Sequence, residues 1–143
     1  MGRDGAERAA AKAAAGEYDI VLLPEPFVTS LKSQNKGFRA IIDITDEWER
    51  LNGSDLAMGA IAVRTEFAEE NKKAVAAFLE EYAESVNFVN SDPEKAAELI
   101  EKYDIAKAAV AQRAIPNSNI VCLTGKAMAE DALSFLQTMY EYD

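Results

Sequence analysis

The chain has 143 residues, a net charge of −10, 49% apolar residues and no histidine. That length and apolar content suit one soluble globular domain with a core, not a disordered chain. The negative charge argues against a phosphate-neutralising nucleic-acid surface, and the missing imidazole removes a Ser-His-Asp triad and nearly all catalytic zinc sites.

Along the chain, the alanine-rich stretch Ala6–Ala15 predicts a helix with Gly16 as its stop. Tyr18–Leu23 is an apolar run broken only by Asp19, a pattern that suits a strand buried on both faces. Pro24 and Pro26 end it, and Pro26 opens a helix over Phe27–Gln34, where its missing N–H is harmless. Phe38–Ile44 predicts a second strand, and Thr45, Asp46 and Glu47 start a short helix through Trp48 to Leu51. Asn52-Gly53-Ser54-Asp55 is a linker signal, and Ala57–Val63 predicts a third, small-residue strand with Gly59 at a close approach or bend.

From Thr65 the pattern is almost wholly helical. Val75, Phe78, Leu79, Tyr82, Val86 and Val89 share one face, and Ser91-Asp92-Pro93-Glu94 combines a capping box with a first-turn proline, starting a helix to about Tyr103. A further helix covers Ile105–Ala114, Ile120–Leu123 is a short extended piece, and Thr124 caps a last helix whose buried stripe is Met128, Ala132, Phe135, Leu136 and Met139. Cys122 is the sole cysteine, so no intrachain disulfide forms, and Val121-Cys122-Leu123 reads as strand packing. No stretch reaches the roughly 20 apolar residues of a membrane span, and the charged, alanine-rich N-terminus is unlike a signal peptide.

Few side chains here suggest chemistry. Glu25, held between Pro24 and Pro26 at a strand end, sits where open α/β sheets bind ligands. The same tripeptide also suits a rigid turn with a solvated carboxylate. Asp43, Asp46, Glu47 and Glu49 cluster at a helix start, where acids favour the dipole, and they lack the spacing of a cation loop. Trp48 reads as packing of an amphipathic helix. Asn117 and Asn119 flank Ser118 in a proline-containing loop and offer amide donors and acceptors, though such residues are also ordinary in turns. No phosphate-binding glycine loop, dinucleotide fingerprint, catalytic centre, metal site or cofactor motif is visible.

Gly16-Glu-Tyr-Asp-Ile-Val-Leu-Leu-Pro-Glu-Pro-Phe27, Gly59-Ala-Ile-Ala-Val-Arg-Thr-Glu-Phe-Ala-Glu-Glu-Asn71, Phe78-Leu-Glu-Glu-Tyr82 and Asn90-Ser-Asp-Pro-Glu-Lys-Ala-Ala97 follow one another in an order that resembles the NMT1/THI5-like solute-binding proteins of ABC importers. The resemblance, from about Ala11 to Asp143, implies a partial α/β fold of the class II periplasmic-binding type. Residues 1–54 would end its second lobe, and 55–143 would be the return strand and helical part of the first. It implies a C-terminal fragment of an extracytoplasmic lipoprotein, monomeric when full-length and partnered by a membrane permease. It would not be an enzyme but would capture a pyrimidine thiamine precursor, sulfonate, nitrate or similar solute; the alternative is a pyrimidine synthase or other enzyme on the same fold. It places Pro24, Glu25 and Pro26 at the ligand cleft, with Phe27 and Thr29 beside them and Asn117 and Asn119 as further candidates.

Overall fold

The computed structural model describes residues 3–142 and divides into two units. The first takes the chain up to Ala40 together with Glu84–Val121; the second takes Ile41–Ala83 and the chain from Cys122 onward.

In the first unit, α1 (Arg3–Ala14) buries Ala6 and Ala13 and packs on α2 (Phe27–Gln34), whose Leu31 is 2% exposed. Gly16, at φ +82°, ends α1 by reversing the chain: its N–H donates to the Ala13 carbonyl at 2.9 Å, and that of Glu17 to Lys12 at 2.9 Å. A left-handed residue is the usual way to satisfy these last carbonyls, and glycine adopts it without strain. Glu17 then reaches back to Lys12 at 3.1 Å.

The same unit holds the end of α5 (Lys72–Ser91), then α6 (Pro93–Lys102), α7 (Ala108–Ala114) and a 3-10 turn, Ile115–Asn117. α6 packs against α7, and the buried residues there are Ala96, Ala97, Ala111, Ala114 and Ile115. Alanines let the two backbones approach closely, and Ile115 is the largest of the buried side chains there. α7 also packs on α2.

The second unit holds α3 (Ile44–Asn52), α4 (Thr65–Glu70), the first part of α5, and α8 (Gly125–Glu141). Trp48 of α3 meets Phe135 of α8 at 5.3 Å between ring centroids, and the Ser134 hydroxyl donates to Ser54 Oγ at 3.0 Å. Phe78 and Tyr82 stack at 6.0 Å along α5. None of the second unit's described residues is fully buried.

Among the described residues the architecture is all-helical, with eight α-helices and no strand, which corrects the expected α/β fold. The runs read as strands, Tyr18–Leu23, Phe38–Ile44, Ala57–Val63 and Ile120–Leu123, lie outside any ladder, apart from Ile44, which begins α3. Many of their apolar side chains are open: Ile20 is 85% exposed, Leu22 72% and Met58 75%, while Val21, Leu23 and Phe38 are half-buried. Apolar, β-branched composition favours extended backbone, but a strand also needs a neighbouring segment to supply its hydrogen bonds. The class II periplasmic-binding architecture, which rests on those sheets, is corrected with it.

Helix boundaries follow local chemistry more closely. α2 matches its expected range, and α6 starts at Pro93 with Asp92 as its cap. The cap of α3 is Asp43, whose carboxylate accepts from the Thr45 N–H at 2.9 Å, so the helix begins one residue before Thr45. Thr124 makes no side-chain cap on α8. The stripe expected to bury α8 is mostly open, with Met128 49%, Leu136 62% and Met139 50% exposed.

Candidate functional site

The turn Pro24–Thr29 is built from the start of α2. The Pro24 carbonyl accepts from Phe27 N–H at 3.0 Å and Val28 N–H at 3.3 Å, and that of Pro26 accepts from Ser30 N–H at 2.9 Å. Both prolines precede the first helical residue, so their missing N–H groups cost α2 nothing, and the Thr29 N–H is left for a side chain to accept. The Glu25 side chain turns inward to it. Its Oε2 accepts from the Thr29 N–H at 3.2 Å and its Oε1 from the Thr29 hydroxyl at 3.0 Å.

Thr29 is 9% exposed, and its carbonyl accepts from Ser33 Oγ at 2.9 Å. Glu25, Pro26 and Phe27 are half-buried, while Pro24 is exposed. One carboxylate and one hydroxyl therefore meet at a helix N-terminus, where the helix dipole favours a negative charge. This pairing of residues four apart had a sequence signal: a Glu placed before a helix with Thr in its first turn has the reach of a capping interaction.

Asn117 and Asn119 lie in the same unit. The Asn117 amide donates to the Arg113 carbonyl at 3.3 Å, and Ser118 Oγ donates to Ala114 at 2.8 Å, so these side chains close the end of α7. Asn119 adopts φ +48°, a left-handed conformation that Asn tolerates better than most residues. The residue sequence reasoning missed is Asn90, on α5: its amide donates to the Ile120 carbonyl at 2.8 Å and ties the chain after this loop back to a helix. An exposed Asn in a helical run carries no pattern that announces such a bond.

Two of the four acids clustered near α3 make local bonds. Asp43 caps the helix, and Glu47 pairs with Arg50 at 2.7 Å. No group of three or more His, Cys, Asp or Glu side chains converges to hold a metal ion among the described residues. Trp48, whose ring rests on Phe135, carries a buried indole N–H without a hydrogen-bond partner among the described residues.

Compared with family models, residues 7–115 match the one described as menaquinone biosynthesis. The chain belongs to that family. No curated protein and no solved structure matches it. Membership of the menaquinone biosynthesis family overturns the resemblance to ABC-importer solute-binding proteins, and with it the reading as the solute-capture subunit of an importer and as a transport lipoprotein. The alternative reading as a pyrimidine synthase falls for the same reason. Short segments such as Ile-Val-Leu-Leu-Pro-Glu-Pro are generic strand-to-turn wording, and only a match over a long stretch separates families that share it. The matched stretch contains Pro24, Glu25, Pro26, Phe27 and Thr29, whereas Asn117, Asn119 and all of α8 lie beyond it. No helix among the described residues is long and apolar enough to cross a membrane.

Proposed function

We propose that this chain takes part in menaquinone biosynthesis by holding a small organic intermediate, with Pro24–Thr29 as one wall of the holding site. The observation that carries the reading is the family match across residues 7–115, which includes that turn. Within it, Glu25 and Thr29 bring a carboxylate, a hydroxyl and a helix N-terminus to one place. We read the part played as binding rather than bond-making. The chain has no imidazole, and both Glu25 oxygens are already engaged by Thr29, so the carboxylate serves better as a fixed acceptor than as a mobile base.

The test is genetic and chemical together. Disruption of the gene in its own organism should abolish or sharply lower cellular menaquinone, measured by mass spectrometry, and the intact gene should restore it. Unchanged menaquinone in the disrupted strain would sink the proposal. Restoration by the Glu25→Ala variant at full level would retain the pathway role but remove the turn from it.

A further inference from the structure

An asparagine followed by glycine can react with its own backbone, because glycine leaves the amide nitrogen after the asparagine unshielded and free to turn toward the side-chain carbonyl carbon. Asn52 is the chain's only asparagine followed by glycine. It is the last residue of α3 and is exposed, and no atom lies within 4 Å of the place where a side chain on Gly53 would stand. In the folded chain both reacting groups are held. The Gly53 N–H donates to the Glu49 carbonyl at 2.8 Å, and the Asn52 amide donates to the Trp48 carbonyl at 3.1 Å. Helix α8 clamps this end from both sides, through the Trp48–Phe135 ring contact and the bond from Ser134 to Ser54. No residue of α3 is fully buried, so its last turn is of the kind that opens without the rest of the molecule unfolding.

We propose that Asn52–Gly53 is a site of spontaneous covalent modification, and that the closed end of α3 sets its rate. When the turn opens, the Gly53 nitrogen bonds to Asn52 Cγ and the Cγ–Nδ2 bond breaks. Nδ2 leaves as ammonia, carrying the Gly53 amide proton with it. The cyclic imide so formed adds water at either of its carbonyls, giving aspartate or the isomer in which the backbone runs through the former side chain. Either product adds one negative charge to the net −10. That charge stands at the C-terminus of α3, where the helix dipole disfavours it, and a carboxylate cannot donate to Trp48 as the amide did. With the ammonia lost, the turn does not return to its first state.

Incubation of the full chain at mildly alkaline pH, followed by peptide mass mapping and enzymatic isoaspartate labelling, tests this. In urea, Asn52 should convert before every other asparagine, and Gly53→Ala should suppress the conversion there, where its effect on folding does not enter. The folded chain should convert at least about tenfold more slowly, since both hydrogen bonds have to open first. Phe135→Ala removes the clamp, and Asp43→Ala removes the far cap of a nine-residue helix. Each should speed conversion of the folded chain several-fold without changing the rate in urea. A Phe135→Ala chain that has unfolded shows so by circular dichroism and runs at the urea rate; Asp43→Ala then carries the comparison. An Asn52 that stays intact in urea overturns the inference. So does a folded chain that converts as fast as the unfolded one, or a folded rate that neither variant moves.

Discussion

Asp92 separates α5 from α6 with two bonds to one lysine. Its Oδ1 accepts from the Lys95 N–H at 3.1 Å and its Oδ2 from the Lys95 ammonium at 2.7 Å. The ammonium and N–H bonds hold the Asp92 carboxyl below its ordinary pKa of 3.8, and the same carboxylate raises Lys95 above 10.5. A lowered carboxyl favours the folded state above its unfolded pKa, and that contribution is lost as pH falls through the folded value. Thermal midpoints measured from about pH 5 to pH 2 should therefore fall less steeply for Asp92→Asn than for the parent chain. The raised Lys95 acts at the other edge, contributing fully below 10.5 and fading as pH rises past it. At Thr29, replacement by Val keeps the volume but removes the hydroxyl from Glu25. A loss of about 0.5–1.5 kcal/mol by urea unfolding is expected for that one hydrogen bond; no change would mean that Glu25 finds water instead.

At the level of elements, the contrast between α3 and α6 is one of caps against packing. Both helices begin on an aspartate that accepts a backbone N–H, and α3 also ends on Gly53 at φ +65°. Gly53→Ala should lower stability by about 1 kcal/mol or more, because alanine is strained in that conformation. The packing of α3 rests on Trp48, whose ring meets Phe135 while its N–H goes unpaired. Trp48→Phe keeps an aromatic face and removes the orphan donor, so we expect a change within about 1 kcal/mol in either direction, where Trp48→Ala should cost clearly more. Urea midpoints of the two variants, compared side by side, decide whether ring or N–H matters. These elements were legible in the sequence because their signals are local: Gly16, Pro26 and Pro93 each act within one turn of where they stand, although the capping box expected from Ser91 gives way to Asp92 as the cap, Ser91 being the last residue of α5. Asp43 was legible too, as a helix-start acid, but its precedence over Thr45 depends on which side chain reaches the free N–H.

On the scale of the molecule, burial is unevenly shared. Among the described residues, each that is fully buried, from Ala6 and Leu31 to Ala114 and Ile115, belongs to the first unit. Leu31→Ala should cost about 2–5 kcal/mol there, read by thermal or urea unfolding, because a closely packed side chain leaves a cavity that neighbouring helices fill poorly. In the second unit the extended residues Leu56–Val63 make no backbone hydrogen bond among the described residues, and Ile61 is 58% exposed. Their amides should exchange with solvent within seconds, while those of α6 and α7 are protected by their helices and alanine contacts. Strong protection across Leu56–Val63 would show a partner on that segment.

The sequence by itself determined most helix limits, the turn at Pro24–Pro26 and the absence of histidine chemistry, since these depend on residues a few positions apart. Only the tertiary structure decided that Tyr18–Leu23 and Ala57–Val63 stay outside any sheet. An apolar run states a preference for extended backbone and for cover, whereas a strand exists only when another segment supplies its hydrogen bonds. Glu25 belongs with the local signals: its position at a turn was written in Pro24 and Pro26, and α2 brings Thr29, four residues onward, back to the carboxylate.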